Sequence, residues 1–286
     1  MIDKYRKALK DHAFKLTDEA VTEKVSKILN EKTEENNKVE VLRKIYTCID
    51  LTTLNTTDTR EDIWKFTDKV NTFDGSNPLI KNVAAICVFP NLVKTVKESL
   101  TADVRIASVC AGFPSSQTFL EVKIAETALA VLDGADEIDV VLNLGYFLND
   151  EIEEVCEEID EIKEACHEAK LKVILETGAL KTAAKINDAS ILAMYSGADF
   201  LKTSTGKVYS GATLEAAYVM CTAIKSYYKK TGIKKGIKIS GGVSTVQDAV
   251  DYYTIVKEIL GEEWCNQDYF RIGTSRLANT LLEAAQ

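Results

Sequence analysis

Two hydrophobic periods alternate along this chain. From about residue 41 onward, short runs that are almost wholly apolar are followed by longer segments in which apolar residues recur every three or four positions. The short runs predict buried strands of a parallel sheet, and the longer segments predict amphipathic helices. The predicted strands are Arg43 to Ile49, Asn82 to Phe89, Val104 to Val109, Glu137 to Leu142, Lys172 to Glu176, Asp199 to Thr203, Gly236 to Ser240 and Tyr269 to Ile272.

Eight strands that alternate with helices favour an α/β fold. Eight such units in about 245 residues fit a (β/α)8 TIM barrel, which is the fold that we predict. A doubly wound open sheet is the alternative, but such a sheet normally carries the motif G-x-G-x-x-G after its first strand. Here the first predicted strand is followed by Asp50-Leu-Thr-Thr-Leu-Asn55, which contains no glycine.

The residues before the barrel predict an N-terminal helical extension. Thr17 is a candidate N-cap, and apolar residues follow it at helical spacing: Val21, Val25, Ile28 and Leu29. The polar stretch from Glu31 to Glu40 is expected to be a linker. The chain would then consist of a helical arm, residues 1–40, and a barrel catalytic domain, residues 41–286.

One helix between the predicted strands has a face that we expect to pack on the barrel. Its apolar residues are Leu120, Ile124, Ala128, Val131 and Leu132.

Composition excludes several classes of function. The net charge of -9 argues against a nucleic-acid partner, because phosphate-backbone binding needs a basic face. No run approaches the roughly 18 apolar residues of a membrane helix, so no membrane partner is expected. Seven cysteines without a C-x-x-C pair, and an N-terminus without a signal-peptide core, are typical of reduced thiols in the cytoplasm.

Histidine is scarce. Only His12 and His167 are present, and both lie in charge-rich, helix-like segments where a solvated surface position is expected. A Ser-His-Asp triad and a histidine-ligated zinc site are therefore not expected. Proton transfer would fall to Lys, Asp, Glu or Tyr.

Polar residues cluster where the predicted strands end. The carboxyl ends of barrel strands form the active-site face of this fold. The polar residues found there are Asp50, Thr52, Asn55, Asp139, Glu176, Lys202, Lys238 and Ser275.

Two of these residues are lysines in similar apolar frames, Phe200-Leu201-Lys202 and Gly236-Ile237-Lys238. Burying an ammonium group is costly, and both burial and a neighbouring ammonium lower a lysine pKa. A neutral amine beside a carboxylate such as Asp139 is suited to Schiff-base chemistry. The competing interpretations are that each lysine extends to solvent at a strand end, and that Asp139 belongs to a structural ion pair.

Glycine and hydroxyl residues close the last three strands. The loops are Thr205-Gly206-Lys207, Gly241-Gly242 and Gly273-Thr274-Ser275. Glycine permits close backbone approach, and barrels often bind phosphate after strands seven and eight. Three such loops on adjacent units predict a phosphate site.

These residues resemble those of the deoxyribose-phosphate aldolase family, the class I, lysine-dependent enzymes. The resemblance covers about residue 45 to the C-terminus. It rests on the motifs Asp50-Leu-Thr-Thr-Leu-Asn55, Ala-Ala-Ile-Cys-Val-Phe-Pro90, Ala135-Asp-Glu-Ile-Asp-Val-Val141, Glu176-Thr-Gly178 and Lys202-Thr-Ser-Thr-Gly-Lys207.

The resemblance implies reversible cleavage of 2-deoxy-D-ribose 5-phosphate to D-glyceraldehyde 3-phosphate and acetaldehyde, with no metal and no cofactor, and it implies a homodimer. By the same resemblance, Lys202 would form the Schiff base, Lys238 would perturb it and Asp139 would transfer the proton. Further substrate contacts would come from Asp50 and Thr52 at the sugar end, and from the phosphate cradle, where the candidates are Thr205, Gly206, Lys207, Gly241, Gly242 and Ser275.

Two alternatives stay open at this point. Another Schiff-base barrel aldolase would act on a keto acid or a ketose phosphate. A phosphate-binding barrel without catalysis would bind ligand but form no covalent adduct. The chain also has Arg276 where some family members have a second serine, and the sequence does not decide whether Arg276 contacts the phosphate.

Overall fold

Eight parallel strands close into a barrel in chain order. The computed structural model describes residues 2–286. Each strand pairs with its sequence neighbours, and β8 pairs with β1 to complete the ring. The predicted TIM barrel is confirmed. The strands are β1 (Ile49–Thr52), β2 (Ala85–Val88), β3 (Arg105–Cys110), β4 (Glu137–Val141), β5 (Lys170–Ile174), β6 (Phe200–Lys202), β7 (Gly236–Ser240) and β8 (Phe270–Thr274).

Helices cover the outside of the barrel. They are α1 (Ile2–Asp11), α2 (Asp18–Asn36), α3 (Val39–Tyr46), α4 (Arg60–Phe73), α5 (Val93–Ser99), α6 (Leu120–Leu132), α7 (Leu144–Leu148), α8 (Ile152–Ala165), α9 (Thr177–Leu180), α10 (Ala183–Tyr195), α11 (Leu214–Thr231), α12 (Val246–Leu260) and α13 (Leu277–Ala284). Among residues 2–286, no helix is long and apolar enough to cross a bilayer.

Register places the catalytic candidates side by side. Lys202 is the Cα partner of Lys238 across the β6–β7 pair, and Lys238 is in turn the partner of Arg271 across β7–β8. Side chains of neighbouring strands in register point to the same face of a sheet. The barrel therefore carries a row of three cations on its inner face.

Phe200 lies beside Arg271, whose guanidinium carbon is 5.6 Å from the ring centroid. The ring occupies the space that a side chain at Gly236 would need, since a Cβ there would come within 2.3 Å of the Phe200 ring. Glycine at the start of β7 thus lets an aromatic ring fill the barrel.

The N-terminal arm packs on the outside of the barrel. The predicted N-cap of α2 is confirmed, because Thr17 Oγ1 accepts from the Ala20 N–H at 3.3 Å. Helix α2 contacts α11 and α12, and α1 contacts α8 and α10. The Asp18 carboxylate accepts from the N–H of Ala183, the first residue of α10, at 2.7 Å. The proposed domain boundary at residue 40 stays a prediction.

Two of the elements predicted for the segment that leads into β1 are wrong. Residues 43–46 belong to helix α3, and the first strand begins only at Ile49. The predicted linker is helical up to Asn36, which is buried and donates to Thr254 Oγ1 at 3.0 Å. Lys257 Nζ in turn donates to Asn36 Oδ1 at 2.9 Å, so this segment is fixed to α12.

The predicted apolar face of helix α6 is only partly the face that packs on the barrel: Leu120 and Val131 pack against the core. Its buried residues are Lys123, Thr127 and Ala130, whereas Leu132 is 81% exposed. Lys123 can be buried because its Nζ bonds Glu158 at 2.6 Å and Ser116 Oγ at 2.8 Å. This internal ion pair is added to the apolar contacts that the sequence suggested.

The expected solvated surface position is wrong for His12. It is buried, with Nδ1 2.7 Å from Ser226 Oγ and Nε2 3.1 Å from Tyr195 Oη. His167 is exposed, as expected. His12 therefore anchors the arm to α10 and α11.

Candidate active site

Three predicted residues meet inside the barrel. Lys202 Nζ donates to Asp139 Oδ2 at 2.8 Å, and Lys238 Nζ donates to the same oxygen at 2.7 Å. Lys202 ends β6, Lys238 lies in β7 and Asp139 lies in β4, so three separate strands supply the group. All three side chains are buried. A single carboxylate oxygen bridges the two ammonium positions.

Asp50 lies beneath this group. Its Oδ2 is 2.6 Å from Lys238 Nζ in an ion pair, and its Oδ1 accepts from Arg271 Nη1 at 2.5 Å. Asp50 is fully buried. The structure thus places Asp50 in contact with Lys238.

Three further charged residues belong to the same cluster and were not among the predicted site residues. Lys172 Nζ bonds Asp139 Oδ1 at 2.8 Å and lies 2.6 Å from Glu137 Oε2. Glu137 also receives two hydrogen bonds from Arg271, at 3.0 and 2.6 Å. For Glu137 the signal was available in the strand parity, since Glu137 shares a strand face with Asp139. Lys172 is paired with Asp139 by a strand register that is known only from the structure.

The cluster explains why one lysine differs from the others. It contains three carboxylates (Asp50, Glu137 and Asp139) and four cations (Lys172, Lys202, Lys238 and Arg271). With Lys202 neutral, three negative charges meet three positive charges. With Lys202 protonated, an excess positive charge is buried, which is costly.

The pKa directions agree with this balance. Burial lowers the pKa of Lys202, and repulsion from Lys238 adds to that effect although Asp139 opposes it. Burial also acts to lower the pKa of Lys238, but attraction by Asp139 and Asp50 outweighs burial and raises that pKa well above its ordinary value. Lys202 is therefore the candidate for a neutral amine, and Lys238 is a permanent ammonium.

Asp139 is held as a carboxylate. Burial alone would raise its pKa, but the three cations Lys172, Lys202 and Lys238 outweigh burial and hold the pKa well below its ordinary value. An ionised Asp139 can accept a proton in the free protein but has none to donate.

An open cavity of about 650 Å³ leads down to the lysines. Lys202 and Lys238 lie among its lining residues, and the other predicted residues that line it are Thr52, Thr205, Gly206, Lys207, Gly241, Gly242 and Ser275. The structure therefore brings all the predicted site residues to one place, with Asp50 and Asp139 buried beneath it.

Backbone N–H groups gather at the outer part of this cavity. Within residues 2–286, the N–H groups of Gly206, Gly242, Ser275 and Arg276 have no hydrogen-bond acceptor. Gly206 and Gly242 have φ values of 70° and 87°, which glycine adopts without a steric penalty. Clustered free N–H groups form an anion-binding concavity.

Lys207 is the charged side chain of this outer part. Its Nζ extends across to the β1–α4 loop, where it donates to the Leu54 carbonyl oxygen at 2.5 Å. An anion bound in the cavity would compete with the Leu54 carbonyl oxygen for the Lys207 ammonium.

The opposite wall of the barrel interior is apolar. Ala85, Cys87, Ala107 and Val109 form a buried cluster on β2 and β3 together with Leu54. Phe113 packs against this cluster, and Lys202 Nζ is 5.9 Å from the centroid of its ring. A small alkyl group attached to Lys202 would therefore meet apolar surface on this side.

Known proteins resemble this chain in sequence and in fold. The sequence model described as DeoC/LacD family aldolase matches residues 44–273. This chain belongs to the DeoC/LacD family of aldolases. The matched segment runs from before β1 to the fourth residue of β8. It therefore contains the whole charged cluster.

Named relatives show how similar this family member is to others. Deoxyribose-phosphate aldolase from Homo sapiens is 41% identical over 252 residues, which are 84% of this chain and 79% of the human protein. The Bos taurus enzyme of the same name is 41% identical over 248 residues, 82% of this chain and 78% of the bovine one. The resemblance inferred from the motifs is confirmed.

A solved structure shares the fold. It is described as a unique tetrameric structure of deoxyribose phosphate aldolase from Aeropyrum pernix. It matches with a TM-score of 0.67 at 27% identity and covers 90% of this chain and 96% of its own.

Proposed function

We propose that the protein cleaves 2-deoxy-D-ribose 5-phosphate reversibly to D-glyceraldehyde 3-phosphate and acetaldehyde, through a Schiff base on Lys202. The observation that carries this proposal is the bridge in which Asp139 Oδ2 accepts from both Lys202 and Lys238. That bridge lies at the base of a cavity whose outer part is lined by free N–H groups and Lys207. A sugar phosphate has an aldehyde at one end and an anion at the other, as this arrangement requires.

The first chemical step uses the neutral amine of Lys202. Its nitrogen attacks C1 of the open-chain aldehyde, and the carbinolamine loses water to give a protonated Schiff base. Lys238, which stays an ammonium, favours the neutral form of Lys202 by charge repulsion. Lys238 therefore acts by perturbing the nucleophile.

Carbon–carbon cleavage follows from the Schiff base. The C2–C3 bond breaks as the hydroxyl on C3 loses its proton, and the electron pair of the bond moves into an enamine on Lys202. We assign the proton transfer to Asp139, because it is ionised and lies 2.8 Å from Lys202 Nζ. The proton is then returned to C2 of the enamine, and water releases acetaldehyde from Lys202.

The phosphate would bind at the outer part of the cavity. Free N–H groups of Gly206, Gly242 and Ser275 and the ammonium of Lys207 are donors that suit a phosphate dianion. Gly241 allows the two loops to approach closely, since a Cβ on it would lie 3.3 Å from Gly206 Cα. Arg276 would contribute an N–H next to that of Ser275.

Choice of donor tests this function against the other aldolases. We expect synthesis with acetaldehyde and D-glyceraldehyde 3-phosphate, and none with pyruvate or dihydroxyacetone phosphate as donor. The apolar wall of Cys87, Val109 and Phe113 favours this result, because it offers no cation to a donor carboxylate or phosphate. Turnover of pyruvate but not acetaldehyde would refute the proposal.

A substitution tests whether the barrel only binds its ligand. Lys202→Leu should abolish turnover while leaving the fold intact, and Lys170→Leu is the matched control because Lys170 is exposed on the neighbouring strand. Retained activity of Lys202→Leu would exclude the mechanism.

Location and assembly are part of the same proposal. The seven cysteines are all free and buried, which suits the reducing cytoplasm that we propose as the compartment. The homodimer stays a prediction, and the exposed apolar residues Leu129 and Leu132 of α6 favour some form of association. Metal-independent and cofactor-independent chemistry also stays a prediction.

A further inference from the structure

Glu176 has an unusual backbone conformation beside the proposed phosphate site. It follows β5 with φ 53° and ψ 59°, in the left-handed region, and its side chain is 1% exposed. Residues with a Cβ rarely adopt this region, and Asn or Gly adopts it more readily than Glu. Strain at one residue next to a site points to a function for that residue's side chain.

The carboxylate of Glu176 binds a single residue of the β6–α11 loop. Oε1 accepts from the Thr205 N–H at 3.2 Å, and Oε2 accepts from the Thr205 hydroxyl at 2.6 Å. Hydrogen bonds to a charged acceptor are stronger than those between neutral groups. Glu176 thus fixes both the backbone and the hydroxyl rotamer of Thr205.

The fixed Thr205 hydroxyl in turn holds the backbone of the residues that follow it. Because its hydrogen points to Glu176, the Thr205 oxygen presents a lone pair to the Lys207 N–H, from which it accepts at 3.1 Å. The turn that results contains Gly206 at φ 70°, with its own N–H free. Glu176 therefore fixes the direction of the Gly206 N–H and the backbone position from which the Lys207 side chain extends.

The opposite side of the loop is held by backbone contacts. The Ala212 N–H donates to the Gly241 carbonyl oxygen at 2.9 Å, and a Cβ on Gly211 would come within 2.1 Å of that oxygen. These contacts need glycine, and hydroxyl groups also tie the start of the same loop to β7. On the β5 side a backbone hydrogen bond holds the start of the loop, whereas the 205–207 turn is held by the Glu176 carboxylate, so one substitution can release that turn.

We propose that Glu176 is a positioning residue for phosphate recognition, which holds the 205–207 turn in place without touching the substrate. This inference rests on the proposed function of the cavity. It assigns the Thr205 hydroxyl to organising the turn, because its hydrogen is already donated to Glu176. It predicts that Glu176 affects binding of the phosphate and leaves the chemistry at Lys202 unchanged.

Glu176→Gln tests the proposal. Glutamine keeps the size of the side chain but presents an NH2 group to one of the two Thr205 donors. Glu168→Gln is the control, because Glu168 is exposed before the same strand. The measurements are KM and kcat with 2-deoxyribose 5-phosphate and with 2-deoxyribose, and the inhibition constant of inorganic phosphate.

We expect Glu176→Gln to raise KM for the phosphorylated sugar and the inhibition constant of phosphate by about tenfold or more, as loss of a charge-assisted hydrogen bond implies. The value of kcat/KM for 2-deoxyribose should change less than about twofold. Equal losses on both sugars would overturn the proposal, because they would show a general structural role. A lower KM would also overturn it, since repulsion between the carboxylate and the phosphate would then dominate.

Two further arms keep the outcomes separate. If the wild type cleaves neither sugar, the proposed function fails, and calorimetric binding of inorganic phosphate to the wild type and Glu176→Gln still decides whether Glu176 positions an anion site. If Glu176→Gln does not fold, Thr205→Val takes its place with the same expected loss of phosphate preference. An unchanged preference in Thr205→Val would refute the role of the turn.

Discussion

Removing the ammonium of Lys238 tests the charge balance of the buried cluster. Lys238→Met keeps most of the side-chain volume but removes the charge that opposes protonation of Lys202. The cluster would then have three carboxylates and, with Lys202 neutral, only two cations. We expect Lys202 to take up a proton to restore the balance, so that its pKa rises.

The size of this rise follows from the geometry. Both ammonium nitrogens bond the same Asp139 oxygen, at 2.8 and 2.7 Å, so they lie no more than about 5.5 Å apart. Two unit charges about 5 Å apart at an effective dielectric constant of about 20 repel by about 3 kcal/mol. At 1.36 kcal/mol per unit, removal of this repulsion raises the pKa of Lys202 by about two units.

The assay is the rate of adduct formation with acetaldehyde and borohydride as a function of pH. Only the neutral amine attacks the aldehyde, so the acid limb of the profile reports the pKa of Lys202. The limb should move up by about two pH units in Lys238→Met and stay in place in Lys170→Met, which removes an exposed lysine.

Stability decides which variant can be used. Breaking a buried ion pair costs about 3–5 kcal/mol, a large part of the stability of a typical domain. If Lys238→Met does not fold, Lys172→Met removes a cation bound to the other oxygen of Asp139 and should shift the limb in the same direction. An acid limb that does not move in a folded variant would refute the charge-balance argument.

Two further predictions concern the phosphate and the arm. Ser275→Asp should raise KM for 2-deoxyribose 5-phosphate about tenfold or more and KM for 2-deoxyribose hardly at all, because it adds a like charge beside the phosphate. Asn279→Asp on α13 is the control. Equal effects of Ser275→Asp on both sugars would count against the phosphate site. Burial lowers the pKa of His12 below 6.5, so the unfolded state binds more protons just below that pH and stability falls as pH drops through this window. The melting temperature should therefore fall more between pH 7.5 and 5.5 in the wild type than in His12→Gln, and an equal fall in both would contradict the argument.

The catalytic candidates could be predicted because charge is rare in buried strands. Lys202, Lys238 and Asp139 each interrupt an apolar run near a strand end, and parallel strands bring those ends together. Lys172 and Arg271 were missed because long basic side chains near the start of a strand usually extend to solvent. Only closure of the barrel shows that these two point inward to Glu137.

The first strand shows how two periods can be confused. Residues 43–49 suggested a strand, but Leu42, Ile45 and Tyr46 are spaced as on one helix face and are the buried residues of α3. Glu176 illustrates a different limit. Its place at a strand end was visible, whereas its left-handed backbone and its contact with Thr205 depend on a loop distant in sequence.

The central claim is that Lys202 is the nucleophile. Its most direct test is to trap the protein with acetaldehyde and borohydride and to locate the adduct by peptide mass spectrometry. The account predicts a reduced two-carbon adduct on Lys202, and none on Lys238 or Lys172, whose pKa values are raised. An adduct on Lys238 or Lys172 with Lys202 unmodified would contradict it.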